Sequence, residues 1–205
     1  MTHADPRPDA RSRRTILITV VAAALVAVLA LAGILWAVNG FGQNAADPRP
    51  SATTGGDAPV DDIDGVSYEN AEYGYRVVFP GTPAEQSQTL PVQGFEVELL
   101  TVTWEEGEEA LIANSARFPE ELLGDVETML DGAVTGAIGN VPGGQLISAE
   151  AATLDGMPAR EVRADTSVGP IRMILAMGDG VQYQLIAGNS DDERAEAFFA
   201  SFHRV

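Results

Sequence analysis

The pattern of apolar and polar positions divides this chain into three regimes. Thr15 to Val38 (TILITVVAAALVAVLALAGILWAV) is apolar for 24 residues without one charge. At 1.5 Å per helical residue the run spans about 36 Å, against a hydrocarbon core of about 30 Å. It predicts a transmembrane helix. Residues 39–64 (NGFGQNAADPRPSATTGGDAPVDDID) hold few side chains able to build a core, which predicts a flexible linker. From residue 65 to 205 periodic patterns take over, over a length that suits one domain with its own core.

Within that domain the period is mostly two. Tyr73–Phe79 is aromatic and β-branched and is stopped by Pro80-Gly81, a strand. Phe95–Trp104 alternates Phe95, Val97 and Leu99 against Glu96 and Glu98. The turn Glu105-Glu106-Gly107-Glu108-Glu109 returns it into a strand over Ala110–Phe118. The period then changes. Pro119-Glu120-Glu121 opens a predicted helix whose apolar stripe is Leu122, Val126, Met129, Leu130, Ala133, Val134 and Ala137, ended by Gly139-Asn140. Four more strands follow, Gln145–Leu154, Met157–Thr166, Pro170–Met177 and Val181–Ala187. Asp155-Gly156, Val168-Gly169 and Asp179-Gly180 punctuate them as hairpin turns. Ser190-Asp191-Asp192-Glu193 reads as a capping box before a last helix with Ala195, Phe198, Phe199 and Phe202 buried. The predicted domain is α+β, an antiparallel sheet of about seven strands covered by two helices.

Charge orients these pieces. The chain has 12 arginines, no lysine, 30 acidic residues and no cysteine, a net −18. Residues 1–14 carry four arginines against two aspartates, and residues 39–205 carry eight arginines against 28 acids. Arg11, Arg13 and Arg14 flank one end of the apolar run, and Trp36 sits where an interfacial aromatic belongs. The expected arrangement is a 1–14 cytoplasmic tail, a 15–38 span in the plasma membrane, a 39–64 linker and an extracytoplasmic 65–205 domain. Two other readings of the span stay open. Ala30-Leu31-Ala32 matches a signal-peptidase site, although the apolar run continues past it through Trp36, and Ser12–Leu17 resembles a twin-arginine export signal.

A resemblance enters at four places in the domain. Phe79-Pro80-Gly81-Thr82-Pro83 follows the Tyr-Gly-Tyr strand. Leu154–Arg160 (LDGMPAR), Gly178–Leu185 (GDGVQYQL) and Ala197–Phe202 (AFFASF) follow in order. Together they resemble the bacterial extracytoplasmic proteins of the PsbP-like sandwich group over about residues 66–205. The resemblance implies an α/β/α sandwich with an antiparallel sheet. It also implies docking or assembly roles on larger complexes, with no catalytic set to carry across.

The chemistry-bearing residues are few. Without cysteine there is no thiol chemistry, and without lysine no Walker A loop, Schiff base or Ser–Lys dyad. The two histidines, His3 and His203, fall on opposite sides of the predicted membrane. Glu105, Glu106, Glu108 and Glu109 are a weak metal candidate, because neighbouring residues on a hairpin point different ways, and Asp61-Asp62-Ile63-Asp64 in the linker is similar. No cofactor is called for, and an acidic chain repels nucleic acid. The expected function is a membrane-anchored binding or adaptor domain, held to the bilayer by residues 15–38, that docks an envelope protein or complex and is not an enzyme. The alternatives are a small-molecule or lipid-binding carrier or sensor, favoured by a large apolar cleft between sheet and helix, and a carboxylate-based hydrolase; Tyr68, Tyr73, Tyr75, Tyr183 and Trp104 either line a cleft or, as strand aromatics more often do, pack as core.

Overall fold

A computed structural model describes residues 65–205. The predicted tail, transmembrane helix and linker, with Arg11, Arg13, Arg14 and Trp36, lie outside the described residues. Among the described residues no helix is long and apolar enough to cross a membrane.

The elements are β1 (Val66–Asn70), β2 (Tyr75–Phe79), β3 (Ala84–Val92), β4 (Phe95–Glu106), β5 (Glu109–Arg117) and a 3₁₀ turn (Glu120–Leu122). They continue with α1 (Val126–Gly139), β6 (Gln145–Leu154), β7 (Met157–Thr166), β8 (Gly169–Gly178), β9 (Val181–Gly188), α2 (Asp192–Ala200) and β10 (His203–Arg204). They build two antiparallel sheets. The main one has seven strands in the order β3-β4-β5-β9-β8-β7-β6, and a small one runs β1-β2-β10. The main sheet has the predicted number of strands with different membership. The Tyr73–Phe79 strand belongs to the small sheet, and β3 takes its place beside β4. β3 (AEQSQTLPV) has neither aromatic nor β-branched periodicity apart from its last residues, so the pattern is silent there.

Three layers follow from which face each strand buries. On one face Leu100, Val102, Leu111, Ala113, Tyr183 and Leu185 pack against the small sheet and α2, through Tyr75, Val77, Phe79, Phe198, Phe199 and Phe202. On the other, Leu99, Ile112, Val162, Met173 and Leu175 meet Leu130, Ala133, Val134 and Ala137 of α1. Leu99 and Leu100 are consecutive and both buried, which a strand achieves only when each of its faces is covered. The small residues of the α1 stripe let the helix lie close on β7 and β8.

Both helix starts differ from the sequence pattern. Pro119-Glu120-Glu121 makes only the 3₁₀ turn, Leu123 is extended, and α1 begins after Asp125, whose Oδ1 accepts from the Thr128 N–H at 2.9 Å. A side-chain acceptor satisfies an otherwise orphaned helix N–H, which Pro119 cannot do. At α2 the cap is Asp191, accepting from the Arg194 N–H at 2.8 Å. The Ser190 hydroxyl instead donates to Glu109 Oε1 at 2.5 Å. The two Asp-Gly turns behave as predicted: Asp155 and Gly156 have φ 46° and 78°, and Asp179 and Gly180 have 52° and 73°, the left-handed pair a two-residue hairpin requires.

Candidate functional site

The four glutamates of the β4–β5 turn do not converge on one point. Glu105, Glu106 and Glu108 are exposed, while Glu109 turns toward α2 and ion-pairs with Arg194 at 2.8 Å. Among the described residues no three histidine, aspartate or glutamate side chains converge as a metal site would need. His203 lies in β10, its Nδ1 3.8 Å from Asp155 Oδ1.

The aromatics build core instead of a cleft. Tyr75 is 1% exposed, stacks on Phe202 at 5.6 Å and meets Tyr183 edge-on at 5.8 Å. The Tyr183 hydroxyl donates to the Tyr73 carbonyl at 2.6 Å, and the Tyr68 hydroxyl donates to Glu85 Oε2 at 2.5 Å. Trp104 is half-buried against the same cluster. Burial, aided by the neighbouring Glu98, pushes the Tyr73 phenol up to about 12, and burial raises Tyr68, Tyr75 and Tyr183 as well. Phenols held this high stay neutral at physiological pH and make poor bases.

The arginines turn out to be the organising groups. Arg160 on β7 binds Glu127 and Asp131 of α1 at 2.6 and 2.9 Å. Arg172 on β8 is 8% exposed and binds Glu161 at 2.7 Å and Asp192 of α2 at 2.9 Å, with its guanidinium 5.8 Å over Phe199. Burial alone would lower the Arg172 pKa; Glu161, Asp192 and Glu196 outweigh it and hold the cation above its ordinary value. Arg163 shares Asp192 at 3.1 Å, and Arg204 reaches Asp155 and Asp179 at 3.4 Å each. Each helix is thus tied to the sheet by a buried or half-buried cation. The pairing is invisible in sequence because the partners lie 11 to 49 positions apart.

A second set of residues escaped the sequence pattern. Thr101, Asn114 and Gln184 stand in one row across β4, β5 and β9, with Gln182 two residues along β9 on the same face, and all are buried. Asn114 Nδ2 donates to Gln184 Oε1 at 3.0 Å. Asn114 Oδ1 and both polar atoms of Gln182 have no protein partner. Their sequence signal is a polar residue in phase with buried neighbours in ANSAR and VQYQL.

An antiparallel α+β sandwich whose helices are pinned to the sheet by Arg160 and Arg172 is the class these observations define. No protein-family model and no curated protein matches the chain. Among solved structures it is similar to cyanobacterial PsbP (CyanoP) from Synechocystis sp. PCC 6803, in a solution structure. The TM-score is 0.49 and the identity 17%, over 73% of this chain and 98% of that one. At this score and identity the likeness carries no activity, ligand or partner across.

Proposed function

We propose that the protein is a membrane-anchored binding module whose extracytoplasmic domain docks an envelope protein or complex. One observation carries the reading. Residues 65–205 hold seven arginines against 23 acids, a net −16. Six of those arginines are bound within the fold: Arg117 to the Glu72 carbonyl, and Arg160, Arg163, Arg172, Arg194 and Arg204 to carboxylates. The cations stiffen the scaffold, and the acidic excess is left to the surface. A rigid surface of one sign steers and orients a partner of the other.

The uncharged 15–38 run and its flanking Arg11, Arg13 and Arg14 support placing this surface outside the plasma membrane, within linker reach of the bilayer. A carrier would need an apolar cleft between sheet and helix. The described interior is filled there by side chains such as Leu175, Leu130 and Ala133, each at most 1% exposed.

The test is photo-crosslinking in native membranes, with a photoreactive side chain placed in turn at exposed acidic positions of the full chain. The expected result is a discrete envelope-protein adduct that weakens as salt rises. No discrete adduct at any position or salt would overturn the reading.

A further inference from the structure

The main sheet ends in two edge strands, β3 and β6, and only β3 carries a proline on its open side. In a hairpin closed by a two-residue turn, the residues flanking the turn exchange both backbone hydrogen bonds, and the pattern alternates from there. The β3–β4 hairpin closes on Val92–Phe95, so the residues of β3 that face outward are Pro91, Thr89, Ser87 and Glu85. Pro91 has no N–H to offer, and Glu85 is engaged by Tyr68 of β1. The β6–β7 hairpin closes on Leu154–Met157, so the N–H and C=O groups of Thr153, Ala151 and Ala149 face outward. All three are exposed, small and uncharged. β6 has no proline and no basic residue, two of the devices that blunt an edge. It has one bulge, between Leu146 and Ser148, which leaves Ile147 62% and Leu146 50% exposed.

Charge says what fits there. The single charge on β6, Glu150, stands directly opposite Glu161 of β7. Like charges so placed repel. Glu161 is held by Arg172, whereas Glu150 has no ion-pair partner among the described residues. A strand added beside β6 would put its own residue against Glu150 on the open side. A lysine or arginine there is attracted, while a second copy of this chain would bring another Glu150 and another net −16.

We propose that the free edge of β6 captures an extended, basic segment of a partner protein as an eighth strand, by backbone pairing at Ala149, Ala151 and Thr153 and a cation at Glu150. The inference rests on the docking reading above and names its surface and the chemistry of its partner.

The experiment uses the full chain in mild detergent and reads amide hydrogen exchange along β6. One synthetic peptide alternates lysine and valine over about nine residues, and a control alternates glutamate and valine. With the lysine peptide, exchange at Ala149, Ala151 and Thr153 should slow by about tenfold or more. The control should do nothing. Ala151→Pro removes an outward N–H and no β6–β7 bond, so it should abolish the slowing while β7 stays protected. Glu150→Lys should weaken it. No slowing, equal slowing by both peptides, or slowing that survives Ala151→Pro would overturn the proposal. A dimer of the full chain that Ala151→Pro dissolves would overturn it too, by giving the edge to a second copy. If Ala151→Pro leaves the membrane adducts intact, docking stands and the edge assignment falls. If the wild type gives no adduct but the lysine peptide binds as described, the edge stands and the docking reading falls.

Discussion

Arg172→Met tests whether the fold depends on its buried cation. The guanidinium donates to Glu161 at 2.7 Å, to the Asp192 carboxylate at 2.9 Å and to the Asp192 carbonyl at 3.2 Å. Bonds to charged groups contribute about 1.5–3 kcal/mol each when both partners are shielded. Here the acids are not: the side chains of Glu161 and Asp192 are 36% and 66% exposed, so water recovers much of what they lose. About 1 kcal/mol per carboxylate is the discounted figure. The cation over Phe199 adds about 0.5–1 kcal/mol, and the carbonyl bond a similar amount. Methionine keeps the aliphatic stem, so packing is nearly conserved. The expected loss is about 2–4 kcal/mol. Arg163→Met is the control. It stands directly opposite Arg172 and touches the same Asp192, but its side chain is 43% exposed. Its expected loss is about 0–1 kcal/mol. Urea unfolding of the full chain in mild detergent, followed by circular dichroism at neutral pH, compares the two at a common slope. Losses equal within about 0.5 kcal/mol would refute the claim that shielding of Arg172 gives its pairs their weight.

Two further outcomes follow from named atoms. The Asp155 carboxylate is held below the usual range, first by the Arg204 backbone N–H and then, against the cost of burial, by its side chain. A depressed folded-state pKa gives stability that is present above about pH 4 and lost as pH falls through the folded value. Asp155→Asn, which tolerates the φ of 46°, should therefore flatten the acid limb of a urea-midpoint titration and leave the neutral region's slope unchanged; an unaltered acid limb would contradict this. Gln182→Met removes two buried polar atoms that have no protein partner at nearly constant volume, and should raise stability by about 1–3 kcal/mol; a loss of similar size in the same assay would mean that the amide is satisfied by solvent.

Legibility in the sequence tracked how local the responsible physics was. Asp155-Gly156 and Asp179-Gly180 were readable because a two-residue turn needs left-handed backbone at those very positions. The α1 stripe was readable for the same reason: Leu130, Ala133, Val134 and Ala137 lie on one face by helical geometry alone. β3 was not, because its place is set by pairing with β4 and not by its own composition. The start of α1 lies later than Pro119-Glu120-Glu121 predicts, because the chain runs extended through Leu123 and the helix N–H groups find a side-chain acceptor at Asp125. The candidate surface was harder still. Glu150 looks like any other glutamate until the strand order puts β6 at an edge and Glu161 across from it.

The small sheet sets the order in which the chain can finish folding. β2 takes β1 from the residues just before it, but its other neighbour, β10, comes from the far end of the domain. The Val78 N–H likewise donates to the hydroxyl of Ser201, 123 positions away. A chain that emerges from the N-terminal side therefore presents β2 long before its second partner exists, and closing so large a loop is slow. Until then Tyr75, Val77 and Phe79 have no α2 to cover them. Between their emergence and the arrival of Phe198, Phe199 and Phe202, this apolar face is open to wrong partners.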